Sequence, residues 1–203
     1  MTDGQDEEER QLAAAARAGR RAAFDQLVRQ QEGPLYRFVR RYVGNPDDAY
    51  DIVQDAFVSA WLALERYDSR QSFAFWLRAI ALNKCRDHGR RQAVRHRFLM
   101  LFSFGSESAE EAGPDAPEQS GADEEQRLRR LDQAIAALPK QYKEPLLLTI
   151  VSGLTQQQAA EQLGTTTKAI EMRIRRAKRS LAQTLADLPG AKYIPTDGDR
   201  AES

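Results

Sequence analysis

The sequence predicts an all-α fold: two small helical domains joined by an acidic flexible linker, the second domain containing a helix-turn-helix. Three observations carry that prediction. Apolar residues recur at three- and four-residue spacing in both halves of the chain, and no segment shows convincing strand alternation. Between the halves, Glu107, Glu110, Glu111, Asp115, Glu118, Asp123, Glu124 and Glu125 follow one another without an intervening lysine or arginine, among Gly, Pro and Ser. Such a stretch is too polar to build a core. Finally, residues 154–179 read as a helix, a glycine turn and a second helix with a basic outer face, which is the build of a helix-turn-helix. A chain of 203 residues can hold one large domain or two small ones.

In the first half, periodicity predicts helices over 8–18, 20–31, 33–43, 46–66 and 72–98. Asn45-Pro46 marks the fourth start, asparagine as cap and proline in the first turn. Along that helix Ala49, Ile52, Val53, Ala56, Phe57, Ala60, Trp61 and Leu64 form a wide apolar stripe. Asp48, Asp51 and Asp55 fall on another face with Gln54 beside them. That acidic face is either merely solvated or a docking surface for a basic partner. In the next helix Phe73, Leu77, Ile80 and Ala81 supply the core stripe. Phe75 and Trp76 stand near Arg78, Asn83, Lys84, Arg86, Arg90 and Arg91. Aromatics among bases suit single-stranded nucleic acid, where bases stack and phosphates are neutralised; simple core packing is the alternative for Trp76. The apolar run 98–102 is expected to cap the first domain's core, with a partner surface as the alternative.

In the second half, helices are expected over 124–137, 140–151, 155–163 and 166–188, with a disordered tail over 189–203. The domains accordingly run over 8–100 and 124–188, and the linker over 101–123. Thr155 with Gln158 fits a capping box. Gly164 supplies the left-handed stop, and Thr166 is an N-cap for the last helix. In that helix Ile170, Ile174, Ala177, Leu181 and Leu185 make one buried stripe. Thr166, Thr167, Lys168 and Glu171 are placed to meet base edges; Arg175, Arg176 and Arg179 are placed to meet phosphates, which position a protein without reading sequence.

Charge is balanced overall, 30 basic against 30 acidic residues, but the signs are segregated into separate blocks. This points to nucleic-acid contact by discrete basic surfaces. Cys85 stands alone, so neither a disulfide framework nor a cysteine-rich zinc site is expected. His88 and His96 lie in a basic helical stretch and are expected to face solvent or phosphate. No cofactor and no catalytic or metal-binding residue is assigned. The start lacks the pattern of a signal peptide and no run reaches membrane-spanning length, so a cytoplasmic protein without membrane insertion is expected.

At this point the residues resemble a known family, the extracytoplasmic-function sigma factors of bacterial RNA polymerase. Residues 48–57 with Ala60-Trp61 look like its core-polymerase-binding helix. Trp76-Leu77, Ile80-Ala81, Asn83, Asp87 and Arg90-Arg91 look like its promoter-melting helix. Leu138-Pro139, through Leu163-Gly164, to Arg176-Ala177 looks like its −35-binding domain. The resemblance covers nearly the whole chain outside the termini and linker.

It implies that Asp48, Asp51, Gln54 and Asp55 bind core RNA polymerase, on a coiled coil of its largest subunit. It further implies a pocket for a flipped −10 base in the segment 67–73, and −10 DNA contacts by Ser69, Arg70, Trp76, Asn83, Lys84, Arg86, Arg90 and Arg91. The −35 element falls to Thr166, Thr167, Lys168, Glu171, Arg175, Arg176 and Arg179. The linker would thread the polymerase's cleft and RNA exit path. An anti-sigma factor is the implied regulatory partner beside core polymerase and promoter DNA. Three positions depart from the family's pattern. Ala169 and Glu171 stand where relatives more often carry threonine and a basic residue, and Gly89 replaces a larger apolar residue.

Two rivals remain. A free-standing helix-turn-helix regulator would bind duplex tightly without polymerase. A nucleic-acid-processing enzyme could use Asp51 and Asp55 as metal ligands, but the chain has no phosphate-binding glycine loop and no cluster of histidine or cysteine ligands.

Overall fold

The computed structural model of the chain describes residues 3–102 and 122–186. Every regular element among them is helical: α1 Asp3–Arg17, α2 Arg21–Val43, α3 Pro46–Leu62, a 3-10 turn Leu64–Arg66, α4 Phe73–Phe102, α5 Ala122–Ala137, α6 Lys140–Leu146, a π turn Leu147–Val151, α7 Gln156–Leu163 and α8 Thr167–Ala186. The linker segment 103–121 and the tail 187–203 lie outside the described residues. α4 and α5 each enter the expected linker by two residues.

The first body is built around α2, which packs against α1, α3 and α4. The helices expected over 20–31 and 33–43 are one: α2 runs unbroken through Gly33-Pro34. Proline removes one backbone donor and crowds the preceding turn. Here Leu27, Gln31, Leu35, Phe38 and Val39 on either side are all buried, so the packed face holds the helix together. α2 then stops at Gly44, whose N–H donates to the Arg40 carbonyl at 2.9 Å and whose φ of +83° is left-handed. The Asn45 carboxamide oxygen takes up the next start, accepting from the Asp47 and Asp48 N–H groups at 2.8 and 3.1 Å.

α3 ends sooner than expected, at Leu62, and the chain tightens into the 3-10 turn that buries Leu64. Trp61, assigned to the apolar stripe, is 40% exposed and meets Phe24 edge-on at 4.9 Å. Below it Tyr67, Phe73 and Trp76 form an aromatic cluster with centroids 5.2–5.8 Å apart. Glu9 of α1 is fully buried and accepts from Gln31 Nε2 at 2.6 Å and from the Ala74 N–H at 3.2 Å. A carboxylate fits there because the first N–H groups of α4 have no partner within the helix.

The second body packs α6 and α7 against α8, with α5 across it. The capping box is present: Thr155 Oγ1 accepts from the Gln158 N–H at 3.1 Å while Gln158 Oε1 accepts from the Thr155 N–H at 2.9 Å. Gly164 stops α7 at φ +62°, ψ +44°, and Thr166 Oγ1 accepts from the Ala169 N–H at 3.2 Å. Ile170, Ile174 and Ala177 are buried; Leu181 and Leu185 are only partly so. Burying Ile170 fully stabilises the domain by roughly 1.5–3 kcal/mol.

The two bodies are docked. α2 packs on α5 and on the π turn, and the buried apolar residues of both bodies form one contiguous cluster. The expectation that the run 98–102 caps the first core does not hold where it can be checked, since Phe98 is 59% exposed. α4 projects past the bundle before reaching it, and from Gly89 to Arg95 every residue is exposed.

Candidate nucleic-acid interface

α8 presents its candidates together. Thr166, Thr167, Lys168, Glu171, Arg175, Arg176 and Arg179 are all exposed; Lys168, Glu171, Arg175 and Arg179 lie opposite the face carrying Ile170, Ile174 and Ala177, Arg176 flanks them, and Thr166 and Thr167 stand at the helix start. Glu171 lies 3.4 Å from Arg175 one turn on, an exposed pair that partly neutralises the basic face. A helix so oriented can lie in a major groove with its first turn on base edges. The Tyr142 hydroxyl accepts from Arg176 Nη1 at 3.5 Å, so this guanidinium is steered by α6.

α4 and the segment before it divide their candidates. Ser69, Arg70, Asn83, Arg90 and Arg91 are exposed; Trp76, Lys84 and Arg86 are half-buried. Arg70 makes a two-pronged contact with Asp68 at 2.6–3.0 Å, which holds the Asp68 carboxyl well below the usual carboxylate range, at about 2. The Tyr67 hydroxyl donates to the Gln71 carbonyl at 2.7 Å, closing the segment into a compact loop. Trp76 packs its ring on Tyr67 and Phe73 and is half-buried, so core packing is present and part of the side chain stays accessible. Arg90 pairs with Asp87 on its own helix.

The acidic face of α3 does not stand alone. Asp48, Asp51, Gln54 and Asp55 line one wall of an open groove of about 530 Å³. Lys84, Asp87, His88, Arg91, Gln92 and Arg95 of α4 line the other. Asp48 accepts from Gln92 Nε2 at 3.2 Å; His88 Nε2 lies 3.3 Å from the same carboxylate, too poorly aligned for a full hydrogen bond. His88 therefore faces α3 rather than solvent. Tyr50, Val58 and Leu62 are more than half exposed on α3. Sequence reasoning missed them as a surface; their signal was four- and eight-residue spacing from one another along the rim of the acidic face.

A second cluster was also missed. Glu144 of α6 is almost fully buried and holds Arg86 bidentately, Oε1 accepting from Nε at 2.8 Å and Oε2 from Nη2 at 2.6 Å. The Tyr42 hydroxyl donates to Oε1 at 3.0 Å. Lys143 Nζ donates to the Tyr42 carbonyl at 3.1 Å and sits 4.9 Å from the Tyr42 ring centre; it also bonds the Ala136 carbonyl. Arg41 Nε meets Asp132 at 3.1 Å nearby. Burial first, then the Glu144 charge, pushes the Tyr42 hydroxyl up. Burial likewise pushes the Cys85 thiol up to about 12 and Lys143 down. The Arg86 guanidinium is held above its ordinary range by its hydrogen bonds to Glu144. The available signal was Glu144 itself, an acid wedged between Lys143 and Pro145 ahead of three leucines.

The sequence matches two family descriptions in order, sigma-70 region 2 over residues 27–95 and sigma-70 region 4 over residues 128–181. The RNA polymerase sigma factor CnrH of Cupriavidus metallidurans is 36% identical over 184 residues, covering 87% of this chain and 94% of the relative. An ECF RNA polymerase sigma factor of Caulobacter vibrioides, SigF, is 29% identical over 75% of this chain and 79% of its own length. The solved structure of CnrH in complex with the cytosolic domain of CnrY superposes with a TM-score of 0.65 at 32% identity, covering 89% of this chain and 99% of that one. α3 falls inside the first matched region and α7 inside the second, while α4 and α8 begin inside them and run past residues 95 and 181. The chain belongs to the extracytoplasmic-function sigma factors, the subunits that direct bacterial RNA polymerase to promoters and act in the initiation of transcription.

Proposed function

We propose a division of labour among three surfaces of this sigma factor. The α3 face of Asp48, Asp51, Gln54 and Asp55 docks on core polymerase. The loop 67–73 with Trp76, Asn83, Lys84, Arg86, Arg90 and Arg91 takes the opened −10 strand, and the outer face of α8 reads the −35 duplex. The observation that carries this reading is the exposure of Lys168, Glu171, Arg175 and Arg179 on the α8 face opposite the buried stripe, with Arg176 flanking and Thr166 and Thr167 exposed at the helix start. On α3, carboxylates would steer a basic partner while Tyr50, Val58 and Leu62 supply apolar contact area.

The chain acts as a non-catalytic subunit in the cytoplasm, and an anti-sigma factor regulates it. In support, the solved structure of its relative CnrH is a complex with the cytosolic domain of CnrY. Among the described residues no helix is long and apolar enough to cross a membrane.

Reversing two carboxylates, Asp51→Lys with Asp55→Lys, tests the docking assignment. Both side chains are exposed, so the variant keeps its circular dichroism and melting profile. Like charges facing each other at an interface cost several kcal/mol. Core polymerase should therefore co-purify with the wild type and not with the reversed protein. Equal recovery would remove α3 from the interface, and no recovery by the wild type would remove the proposed division altogether.

A further inference from the structure

We propose that α1 braces the −10 loop, with the buried Glu9 carboxylate as a positioning residue: it fixes the first turn of α4, and through that turn the loop 67–73 and the Trp76 ring. This rests on the −10 assignment of the loop above. It adds a helix that lies wholly before residue 27, where the match to sigma-70 region 2 begins.

The pattern of α1 singles out Glu9. Glu9, Ala13 and Ala16 follow one another at four- and three-residue spacing, the stripe by which a helix packs, and all three are buried. Alanine at two of these positions lets the neighbouring helices approach closely. A carboxylate at the remaining one is unfavourable unless its oxygens find donors, because it leaves water. Glu9 has a donor on each of two other helices. Its Oε1 accepts from Gln31 Nε2 of α2 at 2.6 Å, and its Oε2 accepts from the Ala74 N–H of α4 at 3.2 Å.

The second contact falls where α4 lacks partners of its own, since the first N–H groups of a helix have none within it. Ser72 caps this end locally, its Oγ accepting from the Phe75 N–H at 3.2 Å. Glu9 caps the same end from 65 positions away, and its charge suits the positive end of the helix dipole. Phe73 and Trp76, on either side of Ala74, pack on the Tyr67 ring at 5.8 and 5.2 Å between centroids. The Tyr67 hydroxyl in turn closes the loop on the Gln71 carbonyl. A shift of the first turn of α4 therefore carries the loop with it. At the loop's other end, Arg17 Nη2 of α1 lies 3.7 Å from Glu65 on the 3-10 turn, an exposed pair that aligns more than it stabilises. α1 thus touches the segment at its entrance and at its exit.

Three substitutions test the brace in the full-length chain. Glu9→Leu keeps the bulk and removes both acceptors. Glu9→Gln is the conservative rescue, because its carboxamide oxygen still accepts from the Ala74 N–H while Gln31 can turn its own oxygen toward the new amide. Glu9→Asp keeps the charge but draws it back by one methylene, and it carries the test if the leucine variant does not fold. Amide exchange is followed by mass spectrometry. Each holoenzyme is then tried on a promoter selected with the wild type, by permanganate reactivity of −10 thymines and by −35 protection.

Glu9→Leu should speed exchange over 67–76 and lower thymine reactivity, each about tenfold, while α3, the second domain, core recovery and −35 protection keep wild-type values. Glu9→Asp should shift the same two readings about threefold, and Glu9→Gln should leave them near wild type. A merely structural carboxylate would raise exchange across α1, α2 and α4 alike and lower core recovery together with opening. That result would overturn the proposal, as would unchanged exchange and reactivity in a folded leucine or aspartate variant, or a glutamine variant no better than the leucine one. Replacing the loop's own exposed side chains, Ser69→Ala with Arg70→Ala, separates the two levels of argument. Normal opening by that protein removes the −10 assignment of the loop. Impaired opening by it, beside normal opening by Glu9→Leu, removes only the brace.

Discussion

α8 and α4 are both basic helices assigned to DNA, and the structure treats them differently. α8 packs along one face and leaves the other open: its candidate residues are exposed and its apolar residues are buried. α4 is enclosed through its first half, burying Phe73, Ala74, Leu77, Arg78, Ala81, Leu82 and Cys85. Its polar residues are shared among the groove facing α3, contacts within the helix, and the second domain. The difference fits the task we propose for each. Reading an intact duplex needs one helix face and little else. Holding a separated strand needs aromatic surface and cations near a wall of protein, so the helix must also serve the core.

The largest effect expected from breaking this comparison is on α8's hidden face. Ile170 is fully buried, and Ile170→Ala should cost about 2–5 kcal/mol. Chemical denaturation should show the loss, and −35 duplex binding should fall with it although no DNA-facing residue has changed. On the exposed face, Lys168→Ala or Glu171→Ala should alter base preference by about 1–3 kcal/mol at one position of a selected −35 element. Arg175→Ala or Arg179→Ala should instead weaken all sequences alike and reduce the salt slope by about one. Unchanged preference in all four proteins would take α8 out of base readout. A cap is worth less again: Thr155→Ala should lower stability by about 1 kcal/mol without touching preference, as thermal melting can check. The smallest effect is in the loop ahead of α4. The Asp68 carboxyl should titrate near 2 in an NMR pH series, because Arg70 favours its charged form. The loop contact is thus complete above the ordinary carboxylate range and fades only as pH falls through about 2; a midpoint near 4 would mean that the fork is absent in solution.

How much could be read in advance divides along the same line. In α8 the packed face formed by Ile170, Ile174 and Ala177 was legible from spacing, and the cap at Thr166 and the stop at Gly164 from residue type, whereas Leu181 and Leu185, expected in the same stripe, are only partly buried. The boundary at Asn45-Pro46 was equally legible, because capping is a local transaction between neighbours. The break expected between 31 and 33 is absent because local propensity around Gly33-Pro34 yields to the buried face formed by Leu27, Leu35 and Phe38. Trp61 was placed in the core because its spacing fits the stripe, but α3 ends one residue later and leaves the ring at the rim. The Arg86–Glu144 pair was invisible for a simpler reason: its members are 58 positions apart and belong to different domains. Periodicity reports on one element at a time and carries nothing about which surfaces meet.

The sharpest test of the division between the two helices is strand opening by a reconstituted polymerase on a promoter recovered from a library. Asn83 is exposed on α4, away from the α3 acids, so Asn83→Ala should leave folding and core recovery intact. Permanganate reactivity of thymines in the −10 element should fall sharply in the Asn83→Ala holoenzyme, while −35 protection matches the wild type. Lys168→Ala should reverse that pattern, weakening −35 protection and leaving the thymines reactive once the complex has formed at high protein concentration. Normal −10 reactivity in Asn83→Ala, with unchanged core binding, would contradict the assignment of strand opening to α4.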